Sequence, residues 1–473
     1  RAASAITRGP HARPILAIKS GRTEAGAAAA GSHTGALASS DVLASAAFEQ
    51  AGILRCRTIE EMFNTARLIT SQPVPAGNRL AIVTNAGGPG VMAADAAVDC
   101  GLRLATLSQA TTARLRSALP AAANVSNPID VIGDAREDRF KAALDAVFDD
   151  ENVDSVLAIL TPQSMTNVVP IAETMRDAAD RSASGKPMAC SFMGGRAVAP
   201  GAALLTDAGL PVYTLPEHAC RALADAVRLA REAKRPASSI PALVVDHRAA
   251  AAVIDNRPAG FLAEPDALHV LTAYGMNVPQ WSFARSATEA ADAAERLGYP
   301  AVIRLVSARA VHKTELRGVR LDLQTRESVL KAFQEIEETM HERFGEGAMA
   351  GVVVRGMIPA GREVLLGVKH DPVFGHAVAF GLGGVHVEAL HDIVFRIAPL
   401  DSESAREMPR AVRALPLLEG VRGEPPVDFA AIEDHLLRLS RLVEDFPRIA
   451  EIDINPLIAA PAGRGAAVAD VRI

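Results

Sequence analysis

The sequence concentrates residue types suited to phosphate chemistry in a few short stretches. Ser32-His-Thr-Gly-Ala36 sets His33 in a small, polar turn ahead of a helix expected to start near Asp41. An accessible imidazole there is a nucleophile able to take a phosphoryl group, and it is equally an ordinary turn histidine. Thr84-Asn-Ala-Gly-Gly-Pro-Gly90 joins an apolar run to a helical one. Gly87, Gly88 and Gly90 let backbone N–H groups approach an anion, and the helix dipole favours negative charge at that end. The spacing matches neither Gly-x-Gly-x-x-Gly nor a P-loop, so a tight strand-to-helix turn also explains it. Val311-His-Lys-Thr-Glu315 places His312 and Lys313 in a polar connection beside Arg304, Arg309 and Arg317. Such a cation set suits polyphosphate, or a solvated basic loop. Alternation puts Glu451, Asp453 and Asn455 on one strand face. Asn455 and Asp470, on adjacent strands, are hard oxygen donors of the kind Mg²⁺ uses when it holds nucleotide phosphates. Phe380-Gly-Leu-Gly-Gly384 and Glu388 belong to the same constellation. A surface strand of alternating acids accounts for Asp453 but leaves Asn455-Pro456 unexplained.

The elements that must position these residues fall into two textures. From about 14 to 232, buried-strand runs alternate with helical segments: Pro14–Lys19, Arg79–Thr84, Ser155–Leu160 and Pro187–Ser191 are the strands. Thr58 is placed to cap a helix whose Ile59, Met62, Phe63 and Ala66 share a face. Strand–helix alternation of this kind predicts parallel sheets covered by helices. The proline- and serine-rich Lys234–Pro241 ends this part, and 233–258 reads as a linker. Beyond it, Glu264–Tyr274 and Ser328–Phe344 read as helices, and Val302–Val306 and Val319–Leu323 as strands. Val352–Arg355 and Val364–Lys369 are two further strands joined by a turn at Pro359–Gly361. That order predicts an α+β domain with a more antiparallel sheet.

Composition narrows the function classes. At 473 residues the chain has room for about three domains. Its 49 Lys+Arg against 55 Asp+Glu form no basic block, which argues against a nucleic-acid binder. No apolar run approaches a membrane span. The four cysteines form no Cys-x-x-Cys pair, so thiols in a reducing, cytoplasmic setting are expected rather than zinc or disulfides. The opening residues do not read as a signal peptide, so none is expected.

Taken together, Lys19-Ser-Gly-Arg-Thr-Glu-Ala-Gly26, the His33 and Gly87–Gly90 stretches, Asn127-Pro-Ile-Asp130, His312-Lys-Thr-Glu315, Asp371-Pro-Val-Phe-Gly375 and Glu451-Ile-Asp-Ile-Asn-Pro-Leu457 resemble the NDP-forming acyl-CoA synthetases, relatives of succinyl-CoA synthetase. They occur in the family's order. The resemblance implies an α/β chain: flavodoxin-like, succinyl-CoA synthetase-like domains followed by an ATP-grasp α+β domain. Residues 1–72 would be the C-terminal half of a first ligase domain, 73–232 a second one and 259–473 the ATP-grasp domain. The family's CoA-binding domain would be missing, and the Arg1 start would be a fragment boundary. His33 matches the phosphorylated histidine and His312 a second histidine on an ATP-grasp loop. Gly87, Gly88 and Gly90 would face the phosphate, Arg304, Lys313, Glu363 and Glu388 the nucleotide, and Asn455 and Asp470 the Mg²⁺. ATP or ADP, Mg²⁺, phosphate, a short-chain acid and CoA are the implied partners. Nucleic acid and membrane are not among them, and a homo-oligomer is expected at full length. Two positions depart from the family: Arg304 stands where lysine is usual, and Arg317 where glycine is common. A second reading is an acyl-CoA-sensing region of a GNAT-type protein lysine acetyltransferase.

Overall fold

A computed structural model describes residues 2–23, 25–26, 40–181, 185–236, 239–309, 318–383, 392–421 and 423–473. The chain divides into two compact units: Arg1–Ala28 with Ala51–Ala237, and Ala29–Gln50 with Ser238–Ile473.

The first unit is built on a parallel sheet. Helix α1 (Ile59–Ser71) is followed by strand β1 (Arg79–Thr84), helix α2 (Gly87–Asp99), β2 (Arg103–Leu104), β3 (Ile129–Asp130), β4 (Ser155–Leu160), β5 (Met188–Phe192), β6 (Val212–Tyr213) and helix α3 (Pro216–Ala233). The strands run in the order β2-β1-β4-β5-β6, with β3 pairing the upper part of β1. Every pairing is parallel. Helices cover both faces, so β4 and β5 are buried at every residue, and this is why their sequences are continuous apolar runs. Thr58 caps α1 by accepting the Glu61 N–H at 3.0 Å. The expected apolar stripe of α1 is not its buried face, however. Ile59 and Phe63 are 67% and 62% exposed, while Thr65 and Leu68 are buried. Thr65 turns inward because its hydroxyl donates to the buried Asp225 of α3 at 2.9 Å.

The second unit holds two antiparallel sheets. Helices α4 (His247–Ile254) and α5 (Glu264–Ala273) lead into β7 (Trp281–Ala284), α6 (Ala287–Leu297), β8 (Ala301–Val306), β9 (Val319–Leu323), α7 (Arg326–Phe344) and β10 (Gly351–Gly356). These strands form a four-stranded sheet, β9-β8-β10-β7. Then follow β11 (Arg362–Asp371), β12 (Gly375–Leu382), β13 (Ile393–Ile397), α8 (Phe429–Asp445), β14 (Glu451–Ala459) and β15 (Ala466–Val468), arranged as β13-β12-β11-β14-β15. The turn at Pro359–Gly361 therefore carries the chain between sheets. Both flanks of β10 are already paired, by β8 and β7, so β11 has no place beside it.

Two elements cross the expected domain bounds in their packing. The supposed linker 233–258 contains α4, capped by Asp246, which accepts the Ala249 N–H at 3.0 Å. Its Ala250 and Ile254 are buried in the second unit's core, so it is a structural helix. Helix Asp41–Gln50, expected with residues 1–72, packs on edge strand β13 of the second unit. The Gln50 side chain donates to the Ile397 carbonyl at 3.0 Å and accepts its N–H at 2.6 Å. Glu49 pairs with Arg396 at 3.1 Å. A side-chain amide thus completes the ladder that the edge strand leaves open.

Among the described residues, no helix is long and apolar enough to cross a membrane.

Candidate functional site

In the first unit, the chain leaves β1 toward β2 on one side and later continues from β4 toward β5 on the other. Ligands of open parallel sheets bind at the carboxyl edge where the strand order reverses in this way. Asn85 fills that edge. Its side chain donates to the Thr161 carbonyl at 2.8 Å and accepts the Thr161 N–H at 2.9 Å, tying the ends of β1 and β4 together. Immediately after it, α2 begins with Gly87, Gly88 and Gly90. Ala86 at the cap position makes no side-chain cap, so the first-turn N–H groups have no local acceptor of that kind. A Cβ on Gly88 would meet nothing within 4 Å, whereas one on Gly87 would lie 3.3 Å from Asp130 Oδ2. Asp130 in turn accepts the Ile132 N–H at 2.8 Å. Ile132 holds φ +72°, a left-handed conformation that a β-branched residue adopts only under constraint. The edge offers a dipole and donors for an anion, beside one carboxylate.

The second unit gathers charges on one face of its four-stranded sheet. Arg304 on β8 pairs with Val353, and Arg355 on β10 pairs with Val302 and Trp281. The two arginines are diagonal neighbours on that face. The opposite face, carrying Ile303, Leu305, Val352 and Val354, packs under α6 and α7. Arg304 is 6% exposed and Arg355 4%. Arg304 Nε lies 2.9 Å from Glu264 Oε1 on the first turn of α5, and its other end pairs with Asp470. Arg304 also donates to the Ala469 carbonyl at 3.2 Å. Arg355 donates to the same carbonyl and to that of Val468. Burial disfavours the Arg304 charge, but Glu264 and Asp470 outweigh it and hold its pKa above the ordinary value. Arg355 has no ion-pair partner among the described residues, and burial first, then Arg304, pushes its pKa down to about 10. Both remain cationic at neutral pH.

Asn455 and Asp470 meet through the backbone. The ladder between β11 and β14 slips by one residue at this point, Val364 pairing Leu457 and Leu366 pairing Ile454. Asn455 and Pro456 therefore share one partner position, a bulge of the sort that re-aims a side chain at a site. The Asp470 N–H donates to the Pro456 carbonyl at 3.3 Å. An amide oxygen and a carboxylate are suitable donors for Mg²⁺, which keeps several waters and takes its remaining ligands from phosphates. No group of three or more His, Cys, Asp or Glu suited to a metal occurs among the described residues. Asp453, one alternation before Asn455, has its pKa raised by burial first, with Asp470 and Glu451 adding and Arg472 opposing.

Arg304 and Asp470 are thus in direct contact, with Asn455 close by along the backbone. Glu363 lies exposed on β11 opposite Ile458. Gly87, Gly88 and Gly90 belong to the other unit. His33, His312, Lys313 and Glu388 lie outside the described residues. Sequence reasoning missed Glu264 and Arg355. For Arg355 a signal existed, a lone cation ending the run Gly351-Val-Val-Val-Arg355. Glu264 carried none, since a glutamate in a first helical turn is commonplace.

Family models match three segments: a succinyl-CoA ligase like flavodoxin domain over 1–69, a ligase-CoA domain over 80–237 and an ATP-grasp domain over 254–473. The class is thereby that of ATP-grasp ligases of the succinyl-CoA ligase type. Curated relatives narrow it. Acetate–CoA ligase [ADP-forming] I of Archaeoglobus fulgidus is 40% identical over 98% of this chain and 66% of its own length. 4-Hydroxybutyrate–CoA ligase [ADP-forming] of Nitrosopumilus maritimus is 34% identical over 98% and 66%. Acetate–CoA ligase [ADP-forming] of Methanocaldococcus jannaschii is 35% identical over 98% and 67%. The chain belongs to the NDP-forming acyl-CoA synthetase family. It spans about two thirds of the length of these relatives. All three are ligases, which leaves the acetyltransferase-sensor reading without support.

Proposed function

We propose that this chain carries the nucleotide and phosphoryl-transfer part of an ADP-forming acyl-CoA synthetase. The overall reaction is short-chain acid, CoA and ATP giving acyl-CoA, ADP and phosphate, with acetate as the reference acid. The observation that carries this reading is the paired arginine and carboxylate cluster of Arg304, Arg355, Glu264 and Asp470 on one face of the four-stranded sheet. Buried guanidinia next to a carboxylate are suited to hold and neutralise a nucleotide's phosphates. Mg²⁺, held by Asn455 and Asp470, would supply further charge neutralisation there.

The chain's own residues divide the work. Arg304 and Arg355 bind and orient the phosphates in a site with little water, where charge interactions are strong. His33 takes the phosphoryl group from ATP on its imidazole nitrogen and passes it to the acid's carboxylate, giving an acyl phosphate. CoA thiolate then displaces phosphate. The bare amino end of α2 stabilises the anion in that half of the reaction. His312 serves the transfer between nucleotide and His33, and Lys313, Glu363 and Glu388 complete the nucleotide's surroundings.

The test uses the full-length native protein with ATP labelled at the terminal phosphate and Mg²⁺. Acid-labile label is expected on His33, and His33→Ala abolishes both the label and thioester formation. Thioester formation at the wild-type rate in His33→Ala removes the assignment.

A further inference from the structure

The guanidinium of Arg304 stands on the carboxylate that the proposed metal needs. One terminal nitrogen pairs with Asp470 Oδ1 and the other donates to the Ala469 carbonyl, while Nε lies 2.9 Å from Glu264 Oε1 as an ion pair without a hydrogen bond between those two atoms. Asp470 Oδ1 also accepts the Val471 N–H at 2.8 Å. The side chains of Arg304 and Glu264 are 7% and 1% exposed, against 26% for Asp470. Glu264 is therefore the fixed anchor of the arginine, and Asp470 the end that reaches solvent.

We propose that Arg304 is a latch that makes metal loading at Asp470 conditional on nucleotide. The inference rests on the reading of Asp470 as a metal ligand. Without nucleotide, two guanidinia face two carboxylates, so the cluster has no net negative charge with which to recruit a divalent cation. A cation approaching Asp470 also meets a positive group already in contact with that carboxylate. When a nucleotide's phosphates arrive, their oxygens displace Asp470 from the terminal nitrogen of Arg304 and face Arg355, which lacks a carboxylate of its own among the described residues. Glu264 keeps Arg304 compensated throughout, so the exchange never leaves a buried charge alone. Asp470 is thereby released, and its carboxylate would then be available, with Asn455, to hold a divalent cation that neutralises phosphate charge.

The arginine is what makes this possible. A planar fork bridges two carboxylates and a carbonyl at once, which a lysine, a single compact charge, does less well. Arg304→Lys keeps the charge and the partner of Glu264 but loosens the latch. Glu264→Gln acts in the opposite direction: with the anchor neutral, Arg304 has Asp470 as its one carboxylate partner in the cluster and holds it more firmly.

Mn²⁺ is the probe, its free concentration read from the electron paramagnetic resonance signal during titration of the full chain, with or without saturating ADP. Without ADP, wild type and Asp470→Asn should bind Mn²⁺ alike. With ADP, after correction for Mn²⁺ held by free ADP, wild type should bind roughly tenfold or more tightly than Asp470→Asn. Arg304→Lys should show Asp470-dependent binding even without ADP, and Glu264→Gln should need more ADP than wild type before binding appears. Trp281 fluorescence melts confirm that each variant is folded. Should Arg304→Lys fail to fold, the wild-type pair and Glu264→Gln still decide the matter. Asp470-dependent Mn²⁺ binding by wild type without ADP, as tight as with it, overturns the latch. A failure of Asp470→Asn to weaken binding even with ADP overturns instead the assignment of Asp470 as a ligand.

Discussion

Asp225 and Arg304 are charges held away from water, and each is tolerated only through a specific partner. Asp225 has the weaker partner, the Thr65 hydroxyl, and burial raises its pKa from 3.8 to about 6, with Glu61 adding and Arg221 and Arg228 opposing. The folded chain therefore binds this proton more tightly than the unfolded one. The resulting stabilisation is fully present below about pH 4, is lost as pH rises through about 6 and stays lost above. A gap of about two pKa units corresponds to roughly 3 kcal/mol. Asp225→Asn keeps an acceptor for Thr65 and removes the titration. Urea unfolding from pH 4 to pH 7.5 should show the variant gaining on wild type by about 2–3 kcal/mol across that range. Parallel curves at every pH would remove the assignment. At this scale the sequence is uneven to read. Arg304 is conspicuous because it interrupts an apolar strand, and Asp470 because it follows one. Asp225 and Glu264 sit in helical sequences where an acid is ordinary, and only packing shows that each is buried.

Element type was legible wherever burial imposed a period or removed it. The continuous apolar runs of β1, β4 and β5 are the mark of a sheet covered on both faces, and the alternation of β14 is the mark of one covered on a single face. What the pattern could not carry was sheet membership, because β10 and β11 have similar sequences and differ only in which neighbours were free. The α1 stripe failed for a related reason: apolar identity marked one face, while a buried Thr–Asp hydrogen bond fixed another. The start of α2 permits a sharper test, because its glycines face different surroundings. Gly88 would place a Cβ in open space, so Gly88→Ala should stabilise by about 0.5–1 kcal/mol through helix propensity. Gly90 would place one 3.0 Å from Thr84 Cγ2, at the end of a buried strand. Gly90→Ala should therefore destabilise by about 1–3 kcal/mol. Thermal unfolding of the two variants is expected to move in opposite directions, and a common direction would show that the glycines serve the turn rather than the space around it.

The two units have separate cores, with the hydrophobic clusters of the parallel sheet in one and those of the two antiparallel sheets in the other. Sequence order suggests that everything before residue 233 belongs to the first, yet helix Asp41–Gln50 is packed on β13 of the second. Its terminal Gln50 satisfies both backbone groups of Ile397, and Glu49 covers the Arg396 charge, whose side chain is 5% exposed. The second unit thus depends on a helix that precedes most of the first in the chain. Nothing local in that helix announces this, since its partner is a strand some 350 residues away. Trp281, the only tryptophan, lies in the second unit, so its fluorescence follows that unit's unfolding. Gln50→Ala leaves a donor and an acceptor of the edge strand without their partner, a loss of about 1–3 kcal/mol. The Trp281 transition in the full chain should move to lower denaturant by that amount. The pH-dependent transition governed by Asp225 in the first unit should stay in place. Hydrogen exchange should report the same change locally, with faster exchange at the Ile397 amide and unchanged protection in β4. If Gln50→Ala shifts the first unit's transition and leaves that of Trp281 alone, the helix belongs energetically with the residues around it in sequence, and the division of the molecule drawn from its packing is wrong.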